Sequence, residues 1–455
     1  MMCFTGRCWP WATIVILLLT GCRQPQPPLE PAGDTPDIEL LEEEPGDPGE
    51  TEAAGPSAPA VTIPRPSRQV TASVLKAAID RSGRYLVENC DASGRFQYLL
   101  HPDVSVDPGE QYNVLRHLGA IYGLARYHRF SPSGEVARAT TRSVQFLRRH
   151  CLRAPEGTEG MLAIWSDPEL VHGPPYAVAK LGGAALALVA LDQVEKVHAG
   201  TTRLEEFRQL GRFILSMQKK DGSFYSLYIP SRGGLDDEFK SQFYPGEAAF
   251  GLLLLSTRDP EGPWLQAAAD AVAALARQQL EKRITTPDHW TLMAGDVLLA
   301  NYEKCQAPMP RAGILDHLRR TAGDMLNDQL SALADARTTG CYTVDGQTCP
   351  TATRLEGLLA LLSYLPAEDR ALADQTRASV QLAMSFLLRS QVRRGSLAGG
   401  FPCVTAALSP DDPRLAGLPK SQVEEIRIDY VQHALCAMIR YHELLGRGRL
   451  SSEGN

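Results

Sequence analysis

Residues 111–130, QYNVLRHLGAIYGLARYHRF, decide how the rest of this 455-residue chain is organised. Apolar residues recur at helical spacing from Val114 to Leu124, which predicts a helix. The first two turns of that helix nevertheless carry four polar or aromatic side chains, Tyr112, Asn113, Arg116 and His117. A helix that is apolar along its body but polar at its N-terminal end indicates a buried element whose first turns open into a site.

Other apolar stretches of the same kind follow, for example YAVAKLGGAALALVALDQV at 176–194 and RLEGLLALLSYL at 354–365. They alternate with charged, amphipathic stretches such as RALADQTRASVQLAMSFLLRS at 370–390. A helix that is apolar all round is buried, whereas one with a charged face is exposed. We therefore predict twelve helices, alternately outer and inner, over 69–89, 112–128, 134–152, 176–198, 201–219, 245–257, 262–281, 288–303, 311–333, 352–365, 367–391 and 425–447.

This alternation predicts an all-α domain, an (α/α)6 toroid of six helical hairpins spanning residues 69–447. Strand signals are slight. The connections from outer to inner helices are mostly long, and in such hairpins they all lie on the face where the inner helices begin. Long loops on a rigid scaffold usually carry function. Four of these loops repeat a glycine–aromatic step, at Gly94-Arg95-Phe96, Gly222-Ser223-Phe224, Gly340-Cys341-Tyr342 and Gly399-Gly400-Phe401.

The N-terminal residues 1–21 have the features of an export signal. Their apolar run at 11–19 is too short to span a membrane. The run leads into Leu19-Thr20-Gly21-Cys22, which resembles the lipobox of bacterial lipoproteins. The resemblance implies cleavage before Cys22, lipidation of its thiol and anchoring to a membrane of the bacterial cell envelope. Because Arg23 follows, the same resemblance favours the outer membrane, with the protein facing the periplasm.

Residues 22–68 are predicted to form a disordered, proline-rich acidic tether, and 448–455 a disordered tail. Residues 23–68 hold ten acidic and three basic residues, a net charge of −7, which equals the net charge of the whole chain. The folded domain is therefore close to neutral. No run of Lys and Arg is interleaved with aromatic residues, and nucleic acid is excluded as a predicted partner.

Seven cysteines belong to the predicted domain: 90, 151, 305, 341, 349, 403 and 436. Cys341 and Cys349 bracket a turn through Asp345-Gly346, which predicts a disulfide that staples this loop. The alternative is a zinc site, but no CxxC or HxxxH pair is present. Neither a metal nor an organic cofactor is predicted.

The helical pattern resembles the six-hairpin glycosidases and the terpenoid-cyclase-like toroids, a group that includes glucuronyl epimerases and polysaccharide lyases. The turn QKKDGSF at 218–224 resembles the Asp-Gly-Ser-Phe turns of that group. The acidic DDTA-type motif of hopene-type cyclases and the zinc ligands of lanthionine cyclases are absent. The resemblance implies a toroid with a carbohydrate site at the mouth.

Residues at the starts of the inner helices are expected to converge on the toroid axis. Carboxylates and histidines could transfer protons there, while aromatic and arginine side chains could bind a sugar, including an acidic one. The predicted catalytic residues are Glu247, Asp429, Glu356, His433, His117 and His289. The predicted substrate-binding residues are Tyr112, Arg116, Tyr244, Trp290, Arg354 and Arg427.

Two reactions fit this set. A glycoside hydrolase would use Glu247 with Asp429 or Glu356 as acid and base. A uronate lyase or epimerase would use a histidine to abstract the proton beside the carboxylate. The leading hypothesis is a lipid-anchored, carbohydrate-active enzyme acting on a polysaccharide or cell-wall glycan. The rivals are a glycan-binding lipoprotein without catalysis and a scaffold for a protein partner.

Each candidate also has a structural interpretation. Glu247 and Glu356 could simply complement their helix dipoles. Asp429 and His433, four residues apart, could form a buried structural pair. Arg116 and Arg427 could hold neighbouring helices together through carboxylates. The sequence leaves these alternatives open.

Overall fold

The computed structural model describes residues 70–450, apart from 108, 110, 172, 283–285 and 332–334. These residues belong to one compact unit. The predicted signal peptide, Cys22 and the tether lie outside the described residues, as do residues 451–455 of the predicted tail. In the part that the structure describes, no helix is long and apolar enough to cross a membrane.

Six long outer helices alternate with six inner ones. The outer helices are α1 (Ala72–Glu88), α3 (Gly134–His150), α5 (Leu204–Ser216), α7 (Trp264–Lys282), α9 (Arg311–Ser331) and α11 (Arg370–Ser390). The inner helices are α2 (Val114–Phe130), α4 (Leu181–Glu195), α6 (Tyr244–Arg258), α8 (His289–Asn301), α10 (Thr348–Leu361) and α13 (Ile428–Gly446). The last long connection adds one short helix, α12 (Lys420–Val423).

The inner helices form a closed ring. Each packs against the next in the order α2, α4, α6, α8, α10 and α13, and α13 packs against α2. The predicted (α/α)6 toroid is therefore confirmed. The core is the body of this ring together with the apolar faces of the outer helices.

Burial explains which helices are inner and which are outer. In α4, 13 of 15 residues are buried, because the helix is built almost entirely from Leu, Ala, Val and Gly. In α3 only 7 of 17 are buried. The exposed face of α3 carries Glu135 in its first turn and Arg148 and Arg149 in its last, charges that complement the helix dipole at each end.

Short strands tie the long connections together on one face of the ring. A five-stranded antiparallel sheet has the order β2 (Leu152–Arg153), β3 (Ala163–Ser166), β4 (Val178–Lys180), β5 (Leu227–Ile229) and β6 (Gly234–Asp236). The first and last connections pair through β1 (Leu99–Leu100) and β7 (Ile426–Arg427). Strands of two to four residues are too short to show an alternating pattern, which is why the sequence predicted almost none.

The fourth predicted helix shows the largest delay in its start. Residues 176–180 were expected in the fourth helix, but Val178–Lys180 form β4, which pairs with β3 and β5. The helix α4 begins only at Leu181. Backbone pairing to two neighbouring strands outweighs the helical pattern there, so Tyr176 and Lys180 precede the helix.

The four glycine–aromatic steps share one structural role. Gly94, Gly222, Gly340 and Gly399 all have positive φ, between 91° and 100°. An added Cβ on each would lie 2.0–2.4 Å from a backbone carbonyl oxygen on another outer helix, respectively α3, α7, α11 and α1. The turn after one outer helix therefore packs against the backbone of the next outer helix around the ring. Gly399, which follows α11, closes the circle on α1.

We expect Gly399→Ala to lower the free energy of unfolding by about 3 kcal/mol. A left-handed backbone costs an L-residue about 1–2 kcal/mol, and steric overlap adds about 1–3 kcal/mol. Gly395 in the same loop is the matched control, because its φ is 83° but no atom lies within 4 Å of an added Cβ. Gly395→Ala should cost about 1 kcal/mol. Urea denaturation measures both, and equal losses would contradict the packing role of Gly399.

The predicted disulfide is not formed. No disulfide links the seven cysteines of the described residues. The Sγ of Cys341 lies 3.0 Å from Oγ1 of Thr351 and 3.3 Å from the backbone oxygen of Gln347. Burial raises the pKa of the Cys341 thiol. Cys349 lies in the first turn of α10, and the staple expected from spacing alone is replaced by these hydrogen bonds.

Candidate active site

Three adjacent inner helices bring together two histidines and a carboxylate. His289 is the first residue of α8, Glu356 lies in α10 and His433 lies in α13. One nitrogen from each histidine and one carboxylate oxygen of Glu356 lie within 4.8 Å of one another. Gly357 permits this approach, because a Cβ there would lie 2.9 Å from the Cα of His289. We call His289, Glu356 and His433 the histidine cluster.

Within the cluster, Glu356 orients His433. The Nδ1 of His433 lies 2.7 Å from Oε1 of Glu356. A carboxylate oxygen accepts, so Nδ1 donates, and a neutral His433 ring keeps its lone pair on Nε2. The side chain of His433 is 14% exposed and that of Glu356 only 3%. His433 is therefore the member of this pair that a bound molecule can reach.

His289 is buried beside His433 with neither ring nitrogen satisfied. Its ring centroid lies 5.3 Å from that of His433 in an edge-to-face arrangement, and the residue is 3% exposed. Neither Nδ1 nor Nε2 has a hydrogen-bond partner among the described residues. Burial, followed by the charges of His433 and Arg354, holds the pKa of His289 well below its usual range. The imidazole is thus neutral at pH 7, with both nitrogens available to a ligand.

The N-terminus of α8 holds His289 in place. Asp288 caps this helix by accepting from the backbone N–H of Trp290 at 2.9 Å and of Thr291 at 3.3 Å. Burial raises the pKa of Asp288 to about 6, although the hydrogen bonds from Thr291 and Trp290 oppose the increase. Asp288 was not among the predicted site residues, although an aspartate just before an apolar helix is a recognisable N-cap signal.

An aromatic layer lies beneath the histidine cluster. The Trp290 ring centroid is 4.6 Å from that of His289 and 6.3 Å from that of His433. Phe250 of α6 packs against Trp290 at 6.0 Å. Trp290 is 4% exposed, so it supports the cluster more than it offers an open stacking platform. Phe250 could not be singled out in a sequence where leucines and alanines surround it.

Arg354 lies near His289 on α10. One guanidinium nitrogen forms an ion pair with Asp328 of α9 at 3.2 Å. Its Nε is buried and has no hydrogen-bond partner among the described residues. Arg354 is therefore placed to add positive potential at the cluster, as its effect on the pKa of His289 shows.

Asp429 is held by two arginines and not by His433. It accepts from Nε and a terminal nitrogen of Arg427, at 3.1 and 2.9 Å, and from Nε of Arg116 at 3.1 Å. Burial alone would raise the pKa of Asp429, but the charges of Arg427 and Arg116 outweigh it and hold the pKa well below its usual range. A carboxylate that stays ionised cannot be the general acid of a hydrolase. The alternative of a buried structural pair between Asp429 and His433 is not what the structure shows, because Nδ1 of His433 pairs with Glu356 instead.

Tyr112 and His117 do not converge on the axis as expected. The Tyr112 hydroxyl lies 2.6 Å from Nδ1 of His117, and Nε2 of His117 lies 3.0 Å from the backbone oxygen of Ser143 on α3. That oxygen can only accept, so Nε2 carries the proton and Nδ1 accepts from Tyr112. His117 is fully buried between an inner and an outer helix. Because it faces outward from the ring, it cannot act on a substrate at the mouth.

We expect His117 to make folding sensitive to acid. Burial lowers the pKa of His117 to about 4. Between pH 6.5 and 4 the unfolded chain therefore binds a proton at His117 that the folded protein does not bind. The contribution of a neutral, buried His117 to the free energy of unfolding is complete above pH 6.5 and is lost as the pH falls through this range. The loss is about 3 kcal/mol. Urea unfolding from pH 7 to pH 4 should show a shallower decline for His117→Gln, with the exposed His150→Gln as control. An unchanged decline would contradict this assignment.

Tyr244 and Glu247 lie at the contact between α6 and α4. A Cβ on Gly182 would lie 2.4 Å from Oε2 of Glu247 and 2.5 Å from Cδ1 of Tyr244. Tyr244 is fully buried, so it is not the open sugar platform that was predicted. Glu247 is 6% exposed and is not part of the histidine cluster.

The histidine cluster could also hold a divalent cation. Two imidazoles and one carboxylate are suitable ligands, and their donor atoms are close enough together. A cation at that position would replace the 2.7 Å hydrogen bond between His433 and Glu356. Without a cation, the cluster presents the imidazole of His433, oriented by Glu356, beside the neutral imidazole of His289. This arrangement is suited to proton transfer.

Several solved structures are similar to this chain. A D-mannose isomerase shares 13% identity with a TM-score of 0.55, covering 82% of this chain and 98% of that one. A cellobiose 2-epimerase from Spirochaeta thermophila DSM 6192 shares 15% identity with a TM-score of 0.56, covering 82% and 97%. An unsaturated glucuronyl hydrolase specific for heparin shares 10% identity with a TM-score of 0.56, covering 83% and 99%.

No protein-family model matches the sequence, and no curated protein matches it. At such low sequence identity the structural similarity establishes the fold and nothing finer. The chain is thus an α/α toroid of the six-hairpin type, as its helical pattern predicted.

Proposed function

We propose that this protein is a carbohydrate-processing enzyme that moves a proton at a carbon beside a sugar carbonyl, as an epimerase or isomerase does. The observation that carries the proposal is the pair formed by His289 and His433, with Glu356 orienting His433 at 2.7 Å. The names of the similar D-mannose isomerase and cellobiose 2-epimerase support the same class of reaction.

The proposed step needs one base and one acid. Nε2 of His433 removes the proton from the carbon beside the carbonyl, and the electron pair moves to the carbonyl oxygen to give an enediolate. The proton stays on His433, which then acts as the acid. If it is returned after the enediolate has turned its other face to His433, the configuration of that carbon is inverted. A proton returned to the former carbonyl carbon moves the carbonyl instead. Since the two rings touch edge to face, the sugar would lie across both imidazoles and not between them.

Hydrolysis is the weaker candidate. It requires a protonated carboxylic acid and a second carboxylate on either side of the glycosidic bond. Asp429 is committed to Arg427 and Arg116, and Glu356 is committed to His433. Glu247, the third carboxylate predicted for that chemistry, does not belong to the histidine cluster.

The test is turnover in D2O. The purified protein would be incubated with mannose, cellobiose and uronic acid-containing oligosaccharides, and the products followed by mass spectrometry and NMR. We expect an isomer of the starting sugar with deuterium at the carbon beside the carbonyl. A product that gains water would identify a hydrolase instead. Binding without any exchange across the panel would identify a glycan-binding protein, and neither outcome is compatible with the proposal.

We further propose that the protein works in the bacterial cell envelope, anchored through a lipidated Cys22. The support is the apolar run followed by Leu19-Thr20-Gly21-Cys22. Cells fed a palmitate analogue should label the wild-type protein but not Cys22→Ser, and only the wild type should fractionate with membranes. Equal labelling of the two proteins would remove the support for this anchor.

A further inference from the structure

The end of the ring opposite the histidine cluster holds a strongly basic cavity. It has a volume of about 500 Å³ and opens among the C-terminal ends of the inner helices. Gln193 of α4, Leu254 of α6 and Glu443 of α13 all line it, and each lies in the last part of its helix. This volume lies within the range of small-molecule sites, about 300–1,000 Å³.

Positive charge dominates the cavity wall. The six basic residues that line it are Arg126, Arg129, Lys196, Arg440, Arg447 and Arg449. Only two acidic residues, Asp296 and Glu443, line it as well, which gives a net charge of +4. Such a concentration of one sign of charge is unusual in a domain that is close to neutral, and it attracts anions.

Part of this charge has protein partners. Arg126 donates to the Tyr122 hydroxyl at 3.1 Å and lies 3.5 Å from Glu443. Lys196 forms an ion pair with Asp192 at 2.7 Å. These partners account for two of the six basic side chains.

Arg440 is different, because it lines the cavity without a direct ion-pair partner. It forms no hydrogen bond and no ion pair with any residue in the described ranges. Burial lowers the pKa of its guanidinium, and the neighbouring Arg126 lowers it further, against the opposing effects of Tyr122, Asp296 and Glu443. Five N–H donors of a partly desolvated cation are therefore available to a ligand.

A purely structural role would explain these arginines differently. Helix C-termini carry partial negative charge and free carbonyl groups, which basic side chains commonly satisfy. Arg449 does so, since it donates to the backbone oxygen of Ser363 at 3.2 Å. Arg129, Arg440 and Arg447 make no such bond within the described part of the chain. Capping of helix ends therefore leaves half of the basic side chains unexplained.

The cavity is separated from the histidine cluster by a thin apolar layer. Phe250 lines the cavity on one side and packs against Trp290 on the other, and Trp290 contacts both histidines. Met293, one turn after His289 in α8, also lines the cavity. The two sites thus lie on the same toroid axis but have different chemistry.

We infer that this basic cavity is a binding site for a small anion that carries two or more negative charges, such as phosphate or carboxylate groups. The net charge of +4, and the absence of a hydrogen bond or direct ion pair to Arg440 among the described residues, favour a polyvalent anion over a neutral sugar. Arginine is suited to both anion types, because its planar fork pairs with two oxygens at once. The inference does not depend on the proposed reaction at the histidine cluster.

Isothermal titration calorimetry of the full protein tests this inference. The probes are pyrophosphate for the phosphate class, citrate for the carboxylate class and glucose as a neutral control, all at constant ionic strength. We expect saturable binding of at least one anion, and none of glucose in this cavity. Arg440→Met should weaken anion binding by about tenfold or more, because it removes a charge-assisted hydrogen bond.

Two control variants separate the outcomes. Arg149→Met removes an exposed arginine of α3 and should leave anion affinity unchanged, as should His433→Gln in the histidine cluster. If Arg440→Met does not fold, the pair Arg129→Met and Arg447→Met replaces it, since both side chains are exposed. The inference is overturned if neither anion binds saturably at millimolar concentrations. It is equally overturned if the cavity variants bind as tightly as the wild type.

Discussion

Replacing His433 with glutamine is expected to lower turnover by about 10²- to 10⁴-fold, the usual loss when a general base is removed. Glutamine has a similar reach and can still donate to Glu356, so the packing among α8, α10 and α13 should survive. What it lacks is the basic lone pair that Nε2 of His433 supplies. The measurement is the rate of deuterium incorporation from D2O into a sugar that the wild-type enzyme turns over.

The control for this variant is His442→Gln on the same helix. His442 lies further along α13 and packs edge to face against Phe130, at 5.1 Å between ring centroids. Its replacement should leave turnover within about twofold of the wild type, as is usual for a change away from the site. If His433→Gln kept half or more of the wild-type rate while both proteins stayed folded, His433 would not be the base.

Glu356 should behave as a positioning residue in the same assay. Glu356→Gln keeps the shape of the side chain but can present an amide N–H to Nδ1 of His433, which allows the wrong ring tautomer. We regard the 2.7 Å contact as what fixes the tautomer in the wild type. The variant should therefore change the pH profile of turnover as well as its rate, whereas a purely structural role would leave the profile in place.

Asp429→Asn is expected to lower the free energy of unfolding by about 3–5 kcal/mol, the cost of breaking a buried ion pair. Asp429 is 3% exposed, and Arg427 is 5% exposed. The neutral amide would leave the charges of Arg427 and Arg116 without their shared counter-ion. Because asparagine also presents N–H donors to these donor-only guanidinium groups, part of the hydrogen bonding is lost too.

Chemical denaturation measures this loss, with Asp374→Asn as the matched control. Asp374 pairs with Arg377 at 2.6 Å, but its side chain is 56% exposed. An exposed pair contributes about 0–1 kcal/mol, so the control should change little. The experiment also tests the catalytic role first considered for Asp429. A variant with unchanged stability and lost turnover would mean that Asp429 acts in the chemistry and that the ion-pair assignment is wrong.

The chain's periodicity was sufficient to predict the architecture. The stretch that becomes α4 contains almost nothing but small and branched apolar residues, so it could only be an inner helix. The charged faces of α3 and α11 could only be outer. The repeated glycine–aromatic steps marked equivalent turns, and the structure shows why glycine occupies them: each has positive φ and meets the backbone of another outer helix.

The site could be predicted only as a set of candidates. His289, Glu356, His433, Trp290 and Arg354 do come together, but Tyr112 and His117 turn away between α2 and α3. Helical spacing tells which residues share a face of one helix. It does not tell which face points to the axis, or which residue of a neighbouring helix stands opposite.

The sequence by itself determined the order of inner and outer helices, because hydrophobic periodicity is a local property that each helix shows separately. Only the tertiary structure decided that His433 pairs with Glu356, 77 positions away in the chain, and that Asp429 pairs with Arg116, 313 positions away. These pairings depend on the rotation and axial shift of packed helices. A different rotation or axial shift of one helix would bring other side chains opposite each other without altering the hydrophobic pattern of any helix.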